Sequence, residues 1–214
     1  MKKIILFDFD RTITRTDTLK FFLISVILCR PKSGVLAIIF LIKCILTRSS
    51  SNLFKIEIFN IILSGLPEKK MKMVNVIYSM ITKSVINKNI YDSLNRYLEA
   101  GKTIIIVTAS PEQPIANFFK DTPVTIIGSK LAIKDNLFTG LYAGDRCFGE
   151  QKVERLKKYL ESIGKDFIIE ECWSDSLDDL PMMRLARNRI WVLKDNEKYI
   201  DKIMLGNGRI ITWR

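Results

Sequence analysis

The chain's first apolar run, Ile4-Ile5-Leu6-Phe7, stops at Asp8-Phe9-Asp10-Arg11-Thr12. A short apolar run bounded by charge reads as a buried strand. Side chains two apart on a strand share a face, so the pattern places Asp8 and Asp10 together at the strand's carboxyl end. Two carboxylates held close repel unless something offsets them. The usual counter-charge is a divalent cation, and Mg2+ takes one or two carboxylates plus a substrate phosphate. The pair therefore points to phosphoryl transfer at a metal, with one Asp as the attacking carboxylate.

Three further stretches repeat the layout. Thr108-Ala109-Ser110 follows Thr103-Ile104-Ile105-Ile106-Val107, a β-branched run that reads as a second buried strand. A hydroxyl there, ahead of a helix start, can hold a phosphate oxygen together with backbone N–H groups. Lys152 opens a helical pattern, Gln151-Lys152-Val153-Glu154-Arg155-Leu156, and offers a point charge to phosphate. Asp175, Asp178 and Asp179 follow Ile168-Ile169-Glu170-Glu171-Cys172-Trp173, a weaker strand candidate, and add hard oxygen ligands. Loops after successive strands, each with a phosphate- or metal-competent side chain, are the layout of an open α/β sheet site.

In this order the four stretches resemble the motifs of the haloacid dehalogenase superfamily of phosphatases, over nearly the whole chain. The likeness is to the phosphoserine phosphatase subgroup, in which a helical cap is inserted between the first and second motifs. The resemblance implies that Asp8 is the nucleophile and Asp10 the general acid/base. It implies that Thr108, Ala109 and Lys152, with Thr12, hold the phosphorylated substrate. It assigns Mg2+ to Asp8, the Phe9 carbonyl and Asp175, with Asp179 in support and Asp10 in the same acidic set. Asp178 competes with Asp179 for the supporting place, and the motif register favours Asp179. Asp17 sits where that subgroup carries an acidic residue near the substrate amine; alternatively it caps the helix that begins at Thr18-Leu19-Lys20. Arg11 stands where the superfamily commonly has Gly, so it either adds a cation near phosphate or points to solvent.

Composition removes other chemistries. The chain has no histidine, which excludes a Ser-His-Asp triad, a Cys-His pair and a His-containing zinc site. Cys29, Cys44, Cys147 and Cys172 form no C-x-x-C and read as buried or half-buried free thiols. The opening apolar run is shorter than the roughly 7–15 residues of a secretory signal. It reads as the first core strand of a cytoplasmic protein, placed at most at the inner face of the membrane.

The expected fold is α/β: a doubly wound, mostly parallel sheet core formed by residues 1–16 and 91–214, with an all-helical cap at 17–90. Tyr91 to Ala100 reads as a helix stopped by Gly101. Asp135-Asn136 joins a hairpin between Lys130–Ile133 and Leu137–Leu141. Between Thr18 and Ile90 the cap carries eleven Lys/Arg against Glu57 and Glu68, which accounts for most of the net charge of +11. It also holds the two most apolar runs, Phe21 to Cys29 and Val35 to Ile42, separated by a turn at Arg30-Pro31-Lys32-Ser33-Gly34. Each is too short to span a bilayer, which takes about 20 apolar residues. As an antiparallel helical hairpin they either pack into a bundle or dip into a membrane interface. The apolar basic cap, Asp121-Thr122-Pro123 and Cys147-Phe148-Gly149-Glu150-Gln151-Lys152 resemble the phosphatidylglycerophosphatase C branch. That likeness implies a phospholipid substrate and peripheral membrane contact; the alternative is a small soluble phosphomonoester such as phosphoserine. A non-catalytic basic binding protein is the reading of a different class. Nucleic acid is not an expected partner, because the basic excess lacks interleaved aromatics and Gly-rich signatures.

Overall fold

The computed structural model describes residues 2–47, 51–164, 167–194 and 208–213. In chain order the elements are β1 (Lys2–Phe7), α1 (Leu19–Cys29), α2 (Pro31–Thr47), α3 (Ser51–Leu63), α4 (Met71–Lys83), α5 (Lys88–Glu99), β2 (Thr103–Pro111), α6 (Glu112–Phe118), β3 (Thr125–Ser129), β4 (Leu131–Lys134), β5 (Leu137–Tyr142), α7 (Glu150–Ser162), β6 (Phe167–Ser174), α8 (Leu180–Met183), β7 (Asn188–Lys194) and β8 (Arg209–Trp213). Six strands form one sheet in the order β3-β2-β1-β6-β7-β8, every pair parallel. The chain winds outward from β1 to β3 on one side, then returns to β6 and winds out to β8. The direction reverses between β1 and β6, where ligands of open α/β sheets meet the carboxyl strand ends.

Continuous apolar strands suit this arrangement because both faces are covered. Ile5, Phe7, Ile104 and Ile106 point into one buried cluster with Ile90 and Leu94 of α5, Ile115 of α6 and Phe119 just after it. Ile4, Leu6, Ile105 and Val107 point into the other, with Val153, Leu156 and Met182 of α7 and α8. The β1–β6 register shifts after Ile4, opposite the Glu170 step, so that Phe7 faces Trp173. That leaves Asp8 N donating to the Trp173 carbonyl at 2.8 Å. The same shift sends adjacent acids to different partners: Glu170 accepts from Lys3 and Lys102, and Glu171 from Tyr97 and Trp173.

The expected border after residue 90 falls inside α5, whose Ile90 and Leu94 are buried against the sheet. The helices before it do not form a separate core. Phe22, Val26, Ile62, Leu63, Val74 and Tyr78 belong to the same cluster as Ile5 and Phe7. The hairpin at Asp135-Asn136 forms as expected, with both residues at positive φ (51° and 61°). Its second strand is engaged by the cap. Gly65 N donates to Phe138 O, Phe138 N to Leu66 O and Glu68 N to Asn136 O, at 2.7–2.9 Å. Phe59 of α3 stacks on Tyr142, with ring centroids 5.1 Å apart.

The turn expected at residues 30–34 is tighter than the sequence suggested. Pro31 is already the first residue of α2, where its fixed φ suits a helix and its missing N–H costs nothing. Only Arg30 separates α1 from α2, and the two meet at a bend of 120°. Gly34 makes this elbow possible: a Cβ there would lie 2.7 Å from Ile27 Cγ2. Neither helix buries its whole surface. Ile24, Leu28, Val35, Leu36, Ile38 and Ile39 remain 44–61% exposed. Among the described residues no single helix is long and apolar enough to cross a membrane, although α1 and the first part of α2 pass that test together as a bent pair. Cys29, Cys147 and Cys172 are buried free thiols, and the Cys44 side chain lies outside the described residues.

Gly101 follows α5 at φ +68° with open space around it, the helix stop expected of it. Gly140 at φ +87° is different, because a Cβ there would lie 2.7 Å from the Asn60 carbonyl oxygen. Gly140→Val should therefore cost about 2 kcal/mol and lower Tm by roughly 4–8 °C. Gly101→Ala should cost less, about 1 kcal/mol. Paired thermal melts check this, and equal losses would mean that Asn60 gives way freely.

Candidate active site

β1 ends at Phe7, so Asp8 and Asp10 do not share a strand face as the spacing suggested. They are brought together by a wide turn over Phe9–Ile13, closed by Thr14 N donating to the Phe9 carbonyl at 3.1 Å. The Thr14 hydroxyl lies 3.2 Å from the same oxygen, and its one proton goes to the Thr16 carbonyl at 2.8 Å. The Phe9 carbonyl, which the resemblance places among the metal ligands, thus accepts from Thr14 N within its own turn. Arg11 adopts φ +60°, the left-handed region that favours Gly. Its Nε lies 3.3 Å from Asp175 Oδ2, so the side chain is tied to another loop of the site.

Lys152 occupies the first turn of α7 and is only 3% exposed. Its ammonium lies 2.6 Å from Asp8 Oδ1 and 2.7 Å from Asp179 Oδ1. Asp179 Oδ2 accepts from Ser174 Oγ at 2.6 Å. Of the two competing acids, Asp179 joins this buried cluster, while Asp178 is exposed and accepts from Ser176 Oγ at 3.3 Å. Burial pushes the Asp8 carboxyl well above its ordinary range; Lys152 pulls it down, and Asp179, Asp175 and Asp10 push it further up. The Lys152 ammonium is held above its ordinary value, because Asp8 and Asp179 outweigh its own burial.

Asp10 is held by three donors that the site assignments missed. Thr18 N and Thr18 Oγ1 both donate to Oδ1 at 2.6 Å, and Ser110 Oγ donates to Oδ2 at 2.5 Å. Burial raises the Asp10 carboxyl, and the Ser110 and Thr18 bonds oppose it. Thr18 Oγ1 has one proton, already given to Asp10, so Tyr78 OH, 2.8 Å away, is the donor to it. Ser110 stood in the quoted motif and could have been read there. Tyr78 lies 60 residues from Thr18 and carries no local signal.

A cleft of about 280 Å³ is lined by Asp8, Asp10, Arg11, Asp17, Thr108, Ala109, Lys152, Asp175 and Asp179, together with Leu19, Ser110, Arg146, Phe148, Ser176 and Asp178. The expected residues therefore converge, with one exception. Thr12 is fully buried and does not line the cleft, and its hydroxyl has no partner among the described residues. The Thr108 hydroxyl accepts from Ser110 N at 3.1 Å. Asp17 accepts from Leu19 N at 2.8 Å, the capping role, and still reaches the cleft wall. Arg146 and Phe148 went unnoticed, although Phe148 lay within the quoted Cys147–Lys152 stretch.

Six carboxylates line this cleft against three cations. That excess suits an added divalent cation with oxygen ligands. Among the described residues no three acidic or sulfur side chains converge into an all-protein cage. A Mg2+ site that borrows substrate phosphate and water needs no such cage. Cys147 and Cys172 are buried, which pushes the Cys147 thiol up to about 11 and Cys172 above its ordinary value, so neither suits a nucleophile.

Removing the Tyr78 hydroxyl costs one buried hydrogen bond, whereas Thr18→Val also removes a donor to the Asp10 carboxylate. Urea unfolding should therefore show a loss of about 1 kcal/mol for Tyr78→Phe and about 2–3 kcal/mol for Thr18→Val. Equal losses would mean that the Thr18 hydroxyl does not support Asp10.

The chain is similar to several known proteins. Residues 109 in number align at 31% identity with a histidinol-phosphatase from Neisseria meningitidis serogroup C (strain 8013), covering 46% of each chain. A probable phosphatase from Mycobacterium tuberculosis (strain ATCC 25618 / H37Rv) aligns at 27% identity over 118 residues, 47% of this chain and 39% of that one. The matches thus span less than half the length of these curated relatives. Among solved structures, a protein of unknown function from Bordetella pertussis Tohama I superposes with a TM-score of 0.76 at 18% identity, over 99% of this chain and 98% of that one. A substrate-bound phosphoserine phosphatase complex gives 0.61 at 16% identity, over 99% and 93%. At these identities the two structures speak for the fold. The family model for haloacid dehalogenase-like hydrolases matches residues 5–184, a span that holds all four loops of the cleft, and the chain belongs to that family.

Proposed function

We propose that the protein is a phosphoric monoester hydrolase that works through an aspartyl phosphate on Asp8. The observation that carries this reading is the buried Lys152 ammonium between Asp8 Oδ1 and Asp179 Oδ1, at the carboxyl end of β1 and beside Asp10. Lys152 occupies one Asp8 oxygen and leaves the other to attack phosphorus, breaking the bond to the leaving alkoxide. Asp10 gives the alkoxide its proton, then takes one from water as that water attacks the phosphoenzyme and frees Asp8. Ser110 and Thr18 hold the Asp10 carboxyl in place for both transfers. Thr108, the Ala109 backbone and Lys152 receive the phosphoryl oxygens. Asp8 and Asp175 would hold Mg2+, which would supply positive charge to the phosphoryl group. Asp10 and Asp179, expected in the same set, lie beside them and also accept from Ser110 and Thr18 and from Lys152 and Ser174.

Within phosphomonoesters we favour a lipid phosphate. Support comes from the elbow of α1 and α2, where Ile24, Leu28, Val35, Leu36, Ile38 and Ile39 are exposed beside Lys32 in a strongly basic segment. An apolar helical face with basic flanks suits an anionic bilayer surface, each nearby Lys/Arg adding roughly 1 kcal/mol. The second reading, a small soluble ester such as phosphoserine, is favoured by Asp17 on the cleft wall, where an amine could meet it.

Phosphate release with Mg2+ should occur in the wild type and be lost by at least about 10³-fold in Asp8→Asn, with unchanged circular dichroism. Turnover retained by Asp8→Asn defeats the covalent mechanism, and a wild type inactive on every ester returns the chain to a passive binder. Leu28→Asp with Ile38→Asp should weaken sedimentation with phosphatidylglycerol vesicles by about tenfold or more. Absence of vesicle binding by the wild type removes the lipid reading and leaves the soluble ester.

A further inference from the structure

The loop that precedes α7 is held from several sides. Ala143 N donates to Lys130 O at 2.8 Å, and Arg155 donates to the carbonyls of Gly128 and Asp145. At its centre Cys147 is fully buried, its N donating to Ser129 Oγ at 2.9 Å while Ser129 donates to Ala109 O at 2.7 Å. Arg146 and Phe148 flank this plug, and both line the cleft. The Arg146 guanidinium lies 5.4 Å from the Tyr142 ring centroid, and Tyr142 stacks in turn on Phe59 of α3. A guanidinium stacked on a fixed ring loses little freedom when it binds an anion. Phe148, half exposed, adds an apolar surface to a cleft otherwise lined mainly by polar groups.

The charges of the cleft give this arrangement a use. Lys152 is committed to Asp8 and Asp179, and Arg11 to Asp175. Among the described residues no carboxylate lies within ion-pair distance of Arg146. The scissile phosphoryl group has its own partners in Lys152 and Thr108, so Arg146 is left for another part of the substrate. Asp17 on the same cleft wall repels anions, so a preference for them there has to come from Arg146. We infer that Arg146, set on Tyr142 and beside Phe148, forms a leaving-group subsite for a second anionic group of the substrate, a carboxylate or a phosphodiester. This rests on the phosphomonoesterase reading and deepens it by naming the substrate class: a monoester whose alcohol part is itself anionic. Both acceptors present two oxygens to the planar fork of the guanidinium.

Two pairs of soluble esters test it, each differing in a carboxylate: phosphoserine against phosphoethanolamine, and 3-phosphoglycerate against glycerol 3-phosphate. The wild type should favour the anionic member by about tenfold or more in kcat/KM, the effect of one hydrogen-bonded charge pair. Arg146→Gln should bring that ratio close to one, and Arg146→Lys should restore part of it. Phosphatidylglycerol 3′-phosphate in mixed micelles separates the two sources. A larger Arg146→Gln loss on the micellar ester assigns the phosphodiester, and a larger loss on the soluble pairs assigns the carboxylate. Arg146→Gln ratios equal to the wild-type ratios in the soluble pairs, with no loss on the micellar ester either, overturn the subsite. Failure of the underlying reading looks different, because no ester is turned over at all. Calorimetric titration of Asp8→Asn protein with the same pairs then still reads whether Arg146 selects the anion.

Discussion

A lysine ammonium buried between two carboxylates is an expensive arrangement. Lys152, Asp8 and Asp179 are each exposed by 6% or less. Taking such charges out of water costs several kcal/mol per ion, recovered only when geometry and hydrogen bonding are good. Here the geometry fixes three separate pieces of chain: the end of β1, the first turn of α7 and the loop after β6. Ser174 satisfies a further oxygen of Asp179, so the loop after β6 is held from within as well as by Lys152. The ion pairs sit where the winding of the sheet reverses, because there the ends of β1 and β6 lie side by side. The rest of the cleft is arranged around them. Arg11 ties its turn to Asp175, and Ser110 ties the end of β2 to Asp10.

Local patterns in the sequence carried the frame. The apolar run of β1, the β-branched run of β2 and the hairpin turn at Asp135-Asn136 are each decided by neighbours in the chain, and each formed as the pattern implied, although Asp8 and Asp10 meet through a turn and not along a strand face. Asp8, Asp10, Thr108, Asp175 and Asp179 converge because the parallel topology brings their strand ends to one edge, and the first turn of α7 brings Lys152 to the same place. Features decided by distant contacts were not legible. Nothing near Thr18 announces that Tyr78 will donate to it. Nothing in Arg30-Pro31-Lys32-Ser33-Gly34 announces a one-residue elbow, which depends on Gly34 meeting Ile27. Thr12 shows the opposite error: it belongs to a motif by position, yet its side chain is packed away from the cleft.

The cap is bound to the sheet more closely than an inserted domain with its own core would be. One continuous apolar cluster runs from Ile5 and Phe7 through Phe22 and Val26 to Leu63 and Tyr78. Polar contacts follow the same route, since the α4 hydroxyl of Tyr78 reaches Asp10 through Thr18. Side chains of the cap thus take part in placing an acid that belongs to the sheet end.

The hairpin of β4 and β5 gives this union a mechanical side. Segment 65–68 joins it through three backbone hydrogen bonds, with Phe59 on Tyr142 and Gly140 against Asn60 behind them. A lid swinging on a free hinge would have to tear this seam. Opening the cap would therefore cost the local stability of a small, staple-like sheet.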